Sequence, residues 1–456
     1  MNGMKTLVAL VLALALTLTL VGSAMASSTP ANGSIEITPP TGITGNNTYY
    51  IYKVFDATGD TQGHISYKKI ANKTETLPYF FSEDTAGNIT YTGNNTELDA
   101  TEIAAIKTYI GSDQPVATAT SVGEAKATAT GLGFGYYYIT TTTGSLVTID
   151  STNPYAQVND KNSIPQLDKT ITGASDITDS GKKALAQLGT DVEYTVPITV
   201  GKGSINLAFH DTMETGLTFK GNNYVTVTAS PAISTANWYT IKATPDQGED
   251  LTITFIDGIA EDTVITVKYL ATINAEALTA LENDAYLTYG ENHSTTHKTT
   301  ETYNGEISVI KYNGAKANAQ YLGGAGFKLK NADGKWYKLT GTVVSWEDAQ
   351  ADGDEHISAA ADGKVPAFIG LANGTYTLVE TTVPEGYNKA ADVSLTIASG
   401  DYSLDNLQQV AEVENNQGQE LPSTGGIGTT IFYIAGAVLV LGAAAVILAR
   451  RKAEQE

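Results

Sequence analysis

Residues 306–313 read EISVIKYN, and the sixth letter decides how the region is read. Side chains two apart on a β-strand share a face. Ile307 and Val309 therefore place Lys311 on the apolar face of a strand. The same break recurs downstream. In TYTLVET (375–381), Tyr376 and Leu378 share their face with Glu380, and in VAEVEN (410–415), Ala411 and Val413 share theirs with Asn415. One stretch thus aims a lysine, an acid and an asparagine into a β-structured core. An isolated buried amine or carboxyl is costly. Burial moves the pKa toward the neutral form, down for a lysine and up for an acid. A neutral amine is a nucleophile, and a protonated acid can polarise an amide and shuttle protons. Together they can make a Lys–Asn isopeptide bond with loss of ammonia.

The pattern repeats upstream. Leu167 and Ile171 flank Lys169; Ile205, Leu207 and Phe209 lead to Asp211; Ala285, Leu287 and Tyr289 continue the face of Asn283. ENDAYLTYGEN (282–292) also offers Asn292, on the other face but near a turn, so both asparagines stay open and Asn283 is preferred. A single such lysine could snorkel to water from a strand end. Two stretches that each supply a lysine, an acid and an asparagine favour the chemistry.

The surrounding sequence predicts an all-β protein of tandem Ig-like β-sandwiches. TYYIYKVFD (48–56) and GFGYYYITTTTG (133–144) are β-type runs in a first segment, 27–162, and LDATEIAAIKTYI (98–110) predicts one short helix there. DVEYTVPITV (191–200) and DTVITVKYLATI (262–273) alternate in a middle segment, 163–303. A third, 304–418, carries a hairpin signal at Asp333-Gly334 in KNADGKWYKL (330–339). No fixed-period repeat is evident.

The two ends predict the compartment. Residues 1–26 have a basic Lys5, an apolar run from Leu7 to Val21 and an Ala24-Met25-Ala26 cleavage site, the parts of a signal peptide. Ile427–Ala449 are apolar and uncharged, enough to cross the roughly 30 Å of hydrocarbon as a helix, and Arg450, Arg451 and Lys452 follow. The chain has no cysteine, so an exported fold must be cross-linked by other means or not at all. A net charge of −22 argues against nucleic acid as a partner. No HExxH, P-loop or GxSxG element is present, so an enzyme is not expected, nor a cofactor. The acidic run EDAQADGDEHISAAADG (347–363) lacks EF-hand spacing and reads as a solvated loop, with His356 exposed; no metal is expected.

Leu421-Pro422-Ser423-Thr424-Gly425, followed by the apolar span and the basic triplet, resembles the LPxTG cell-wall sorting signal of Gram-positive surface proteins. That resemblance implies a sortase that cuts between Thr424 and Gly425 and passes the Thr424 acyl group to an amine. The middle and C-terminal segments resemble backbone pilins of sortase-assembled pili, whose Ig-like domains of the collagen-adhesin (Cna) type form isopeptide bonds autocatalytically. YTLVETTVPEGY (376–387) is similar to their E-box, which implies a catalytic Glu380; ISVIKYN followed by GGAGFKL is similar to the start of a B-type domain, which implies bonding by Lys311, with Asn415 as its partner. PQLDKTI and FHDTMETGLTF put Lys169 and Asp211 in the corresponding places. In the first segment Thr140 stands where Glu380 stands, so no bond is implied there. YAQVNDKNSIPQLDKTI (155–171) resembles the pilin motif, with Lys161 as the polymerising lysine and Asn159-Asp160 in place of the usual Tyr-Pro. The implied partners are pilin-specific and housekeeping sortases, further copies of the chain, peptidoglycan, accessory pilins and host or bacterial surface ligands. The rival reading is a monomeric wall-anchored adhesin, which has no need of Lys161.

Overall fold

In strands such as Asp191–Thr199 and Val264–Ile273, alternating sequence becomes alternating burial. The computed structural model describes residues 33–59, 64–94, 98–142, 148–151, 155–246, 248–314, 320–418 and 427–453. The expected signal peptide and the LPSTG motif with Thr424 fall outside these residues.

Described strands form two sheets within residues 33–159, two within 166–303 and two within 305–415. The first stretch holds a three-stranded sheet, in which Gly33–Thr38 pairs parallel with Tyr155–Asn159, and a seven-stranded sheet built on Asn46–Gly59 and Gly135–Thr141. The expected helix is Ala100–Ile110. Asp99 accepts from the Glu102 backbone while Glu102 reaches back to Asp99, a capping box that fixes its start. Its Tyr109 packs into a core cluster with Phe55, Phe80 and Tyr138.

The middle segment holds a six-stranded and an eight-stranded sheet. Asp191–Thr199 and Val264–Ile273 run antiparallel in the six-stranded sheet, with Tyr194 opposite Tyr269 and every second residue buried. Ala208–Met213 and Leu281–Tyr289 are neighbours in the other sheet. One expectation is corrected here. The strand around Lys169 is interrupted, with Gln166–Leu167 and Thr170–Gly173 separately paired to Asp191–Thr199. Leu167, Lys169 and Ile171 are nevertheless all buried. The chain divides into two compact units, and the division falls at Tyr303/Asn304, with the short pieces Leu185–Gly189 and Glu276–Leu278 belonging to the second; the first and middle segments lie together in the first unit.

In the second unit a four-stranded sheet contains Gly305–Asn313, with Lys364–Leu371 antiparallel on one side and Gln408–Asn415 parallel on the other. A six-stranded sheet contains Gly326–Lys330 and Gly374–Thr382. The Asp333-Gly334 turn joins Gly326–Lys330 to Trp336–Thr340, with Gly334 at a φ of 81°. His356 is half-buried rather than exposed. Its Nδ1 lies 2.8 Å from the Pro366 carbonyl, and its ring stacks on Phe368 at 4.2 Å. Ile427–Ala453 forms one helix, long and apolar enough to cross a membrane.

Candidate functional site

All six buried polar residues singled out in the sequence are buried in the fold, in two clusters. In the second unit Lys311, Glu380 and Asn415 are 0%, 2% and 1% exposed. The parallel register sets Lys311 beside Val413 and Asn313 beside Asn415, so Lys311 and Asn415 lie two positions apart on neighbouring strands and face the same side. Glu380 comes from the other sheet of that unit. The Lys311 ammonium donates to Asn415 Oδ1. Glu380 Oε1 lies 3.2 Å from Lys311 Nζ and accepts from Asn415 Nδ2 at 2.9 Å. One carboxyl oxygen thus touches both the amine and the amide nitrogen. It can take a proton from the first and hand one to the second. The other oxygen, Oε2, is fixed by the Ala390 N–H at 2.7 Å. Burial pulls the Lys311 pKa down, and the neighbouring Glu380 only partly offsets this.

In the middle segment Lys169, Asp211 and Asn283 are all fully buried. Asp211 and Asn283 sit on adjacent strands, in a register that pairs Asp211 with Ala285 and Met213 with Asn283. Lys169 Nζ lies 2.6 Å from Asp211 Oδ2. The Tyr269 hydroxyl donates to the same oxygen and lies 3.4 Å from Asn283 Nδ2. Lys169 also sits over the rings of Tyr194, at 5.2 Å, and Tyr269, at 5.9 Å, which are themselves stacked 5.3 Å apart. Burial lowers the Lys169 pKa and raises that of Asp211, in each case against the attraction of its partner. Both shifts favour the neutral pair. Asp211 Oδ1 and Asn283 Oδ1 are buried without a hydrogen-bond partner.

The tyrosines were not singled out in the sequence. Their signal was there: Tyr194 and Tyr269 each occupy an inward position of an alternating run, but a buried tyrosine reads as core unless its polar neighbours are known. Asn292 is exposed at a turn with a φ of 66°, outside the cluster that contains Asn283. In the first segment Thr140 is half-buried in Gly135–Thr141.

Lys161 is exposed immediately after the strand Tyr155–Asn159. Its flanks are held. The Asp160 N–H donates to Thr38 O at 2.9 Å, and Asp160 Oδ1 accepts from Asn162 N at 2.9 Å and Nδ2 at 2.7 Å. Asn162 is buried, and Ser163 N donates to Lys202 O at 3.0 Å. The side chain therefore projects from an anchored backbone.

Comparison with known proteins bears on both the anchor and the fold. Residues 413–455 match the family model of the LPXTG cell wall anchor motif, and residues 305–417 match the SpaA family, a prealbumin-like fold domain. No curated protein matches. Among solved structures, the T6 backbone pilin of Streptococcus pyogenes is similar at 18% identity and a TM-score of 0.55, over 82% of this chain and 81% of that one. The major pilin SpaD of Corynebacterium diphtheriae matches at 18% identity, over 85% of this chain and 98% of that one, with a TM-score of 0.47. The pilus protein RrgB of Streptococcus pneumoniae matches at 14% identity, over 88% of this chain and 100% of that one, also with a TM-score of 0.47.

The chain is therefore a Gram-positive surface protein with an LPXTG cell-wall anchor, a motif that sortases process, and a C-terminal membrane-length helix. Its β-sandwich fold is that of a backbone pilin.

Proposed function

We propose that the chain is the shaft subunit of a sortase-built pilus, in which Lys161 of one subunit is joined to Thr424 of the next. The observation that carries this is Lys161 itself: an exposed amine on an anchored backbone, in a chain that also bears an LPXTG signal and the backbone-pilin fold. Sortase cleaves Thr424–Gly425 and holds Thr424 as a thioester. The Lys161 amine attacks that acyl carbon, the cysteine thiolate leaves, and a new amide joins the subunits. Lys161→Ala is expected to abolish the high-mass ladder of cell-wall extracts while monomer stays on the wall. A ladder that persists would assign the nucleophile to another residue.

Within each subunit, Lys311 joins Asn415 and Lys169 joins Asn283. In each case the neutral amine adds to the amide carbon, the amide nitrogen leaves as ammonia, and Glu380 or Asp211 moves the protons. Three features support this reading. The clusters are buried, burial lowers both lysine pKa values, and Asp211 Oδ1 and Asn283 Oδ1 lack partners until a proton is supplied. The bonds would shunt tension. In the C-terminal domain it would pass from the first strand directly to the last. In the middle domain the shunt would run only from Lys169 to Asn283, because Lys298–Tyr303 follows Asn283 and stays in the load path. Adhesion and colonisation would be served by the fibre as a whole.

A further inference from the structure

We propose that His210, Asp246 and Glu249 form a binding site for a divalent first-row transition metal ion, of the zinc type, on the outer face of the sheet that carries Asp211. His210 and Asp211 are consecutive in the strand Ala208–Met213, so they point to opposite faces. Asp211 enters the core. His210 points outward, where the stretch carrying Glu249 and Asp250 lies beside it and Tyr286 stacks on its ring, and it is 6% exposed.

Three kinds of observation carry the site. The first is ligand geometry. One ligand atom from each of the three residues lies within 4.8 Å of the others. His210 Nδ1 is 3.0 Å from both Glu249 carboxyl oxygens and 3.9 Å from Asp246 Oδ2. Tetrahedral zinc with bonds of about 2.1 Å sets its ligand atoms about 3.4 Å apart, between these two values. The second is outer-shell support. His210 Nε2 lies 2.8 Å from Thr288 Oγ1, which fixes the ring and leaves Nδ1 for the ion. Glu249 accepts from Thr252 Oγ1 at 2.6 Å and from Tyr286 OH at 3.0 Å, and the His210 ring stacks on Tyr286 at 4.8 Å. The third is charge. Among the described residues, Glu249 has an ion-pair partner only in His210, although its side chain is 9% exposed. The Lys242 ammonium bridges both Asp246 oxygens at 2.7 and 2.8 Å, so a cation already sits at the outer ligand. A divalent ion displaces it by a swing of a partly exposed side chain. An imidazole with two carboxylates suits zinc and its neighbours better than magnesium, which prefers oxygen and water.

The ion would fasten this segment to the strand behind the isopeptide cluster. The two are already stitched by Asp250 N to Asp211 O at 2.9 Å and Met213 N to Asp250 Oδ2 at 2.7 Å. The exposed His297–Asp284 pair, stacked on the far side of Tyr286, is the rival zinc ligand.

Calorimetric titration of the chelator-stripped full-length chain with Zn²⁺, and with Mg²⁺ as the hard-ion control, tests the site. One saturable zinc site per chain is expected, with no equivalent magnesium site. His210→Gln should abolish it. Thr288→Val should weaken it by about 10–100-fold, as removal of an outer-shell partner does. Asp246→Asn and Lys242→Ala change exposed side chains and keep the test valid if His210→Gln misfolds; the first should weaken zinc and the second tighten it. His297→Ala should leave binding unchanged. No zinc binding, binding indifferent to Asp246→Asn, or binding lost with His297→Ala would each overturn the proposal.

Discussion

Asn415→Ala removes the proposed electrophile of the second unit and leaves Lys311 paired with Glu380 at 3.2 Å. Its cost isolates what the covalent bond contributes. Lys311 and Asn415 are 104 residues apart in sequence. Closing a loop of that length in the unfolded chain is worth about 4.8 kcal/mol on the chain-entropy treatment used for disulfides. For a domain of this size the loss corresponds to a fall in Tm of roughly 20 °C. Glu380→Ala should cost more. It loses the same bond and leaves Lys311 as a buried amine with no acid, a further penalty of about 3–5 kcal/mol. The sum approaches the whole stability of an ordinary domain, about 5–15 kcal/mol. Intact-mass spectrometry and differential scanning calorimetry of the purified mature chain give the two readouts. Wild type should be lighter than its sequence by two ammonia molecules, each variant by one, and the C-terminal transition should fall in the order wild type, Asn415→Ala, Glu380→Ala. A wild-type mass equal to the sequence mass, or an Asn415→Ala transition that coincides with wild type, would refute the reasoning.

Tyr269→Phe keeps the ring that packs on Lys169 and removes the hydroxyl that touches Asp211 and Asn283. One hydrogen bond between neutral groups is worth about 0.5–1.5 kcal/mol, so the middle-domain bond should form roughly 2–10-fold more slowly, read as loss of ammonia after refolding. An unchanged rate would make Tyr269 a packing residue only. Lys169→Met leaves Asp211 buried with a pKa raised by burial. The folded state then holds a proton that the unfolded state releases above about pH 4. Stability should be greatest below that pH and fall by about 1.4 kcal/mol per unit as pH rises toward the folded pKa, seen in urea melts across pH. A flat profile would place Asp211 in contact with solvent.

Much of this was legible in the sequence because β-structure has a period of two. Lys311, Glu380, Asn415, Asp211 and Asn283 each extend an apolar face by one step, so their burial could be read directly. Lys169 was read correctly as buried but within a strand that the fold interrupts, since two short pairings with Asp191–Thr199 look continuous in sequence. Tyr269 was missed because its role depends on Asp211, which comes from the other sheet. The sequence places His210 on the face opposite Asp211, where an ordinary surface residue is expected. In the fold it is covered instead, with Glu249 3.0 Å from its Nδ1 and Tyr286 stacked on its ring. The fold divides at Tyr303/Asn304, and residues on both sides of the 162/163 join lie in the unit before it. Backbone bonds across that earlier join, such as Glu291 N to Thr142 O at 2.7 Å, leave no compositional mark.

In the proposed fibre Lys161 and Thr424 form the junction between subunits. Mass spectrometry of protease-digested, wall-extracted polymer tests this directly. The expected product is a branched peptide in which the Thr424 carboxyl is joined to the Lys161 amine, in every band above the monomer. Polymer in which Thr424 is joined to a different lysine, or wall extract in which Thr424 is found only on peptidoglycan, would contradict it.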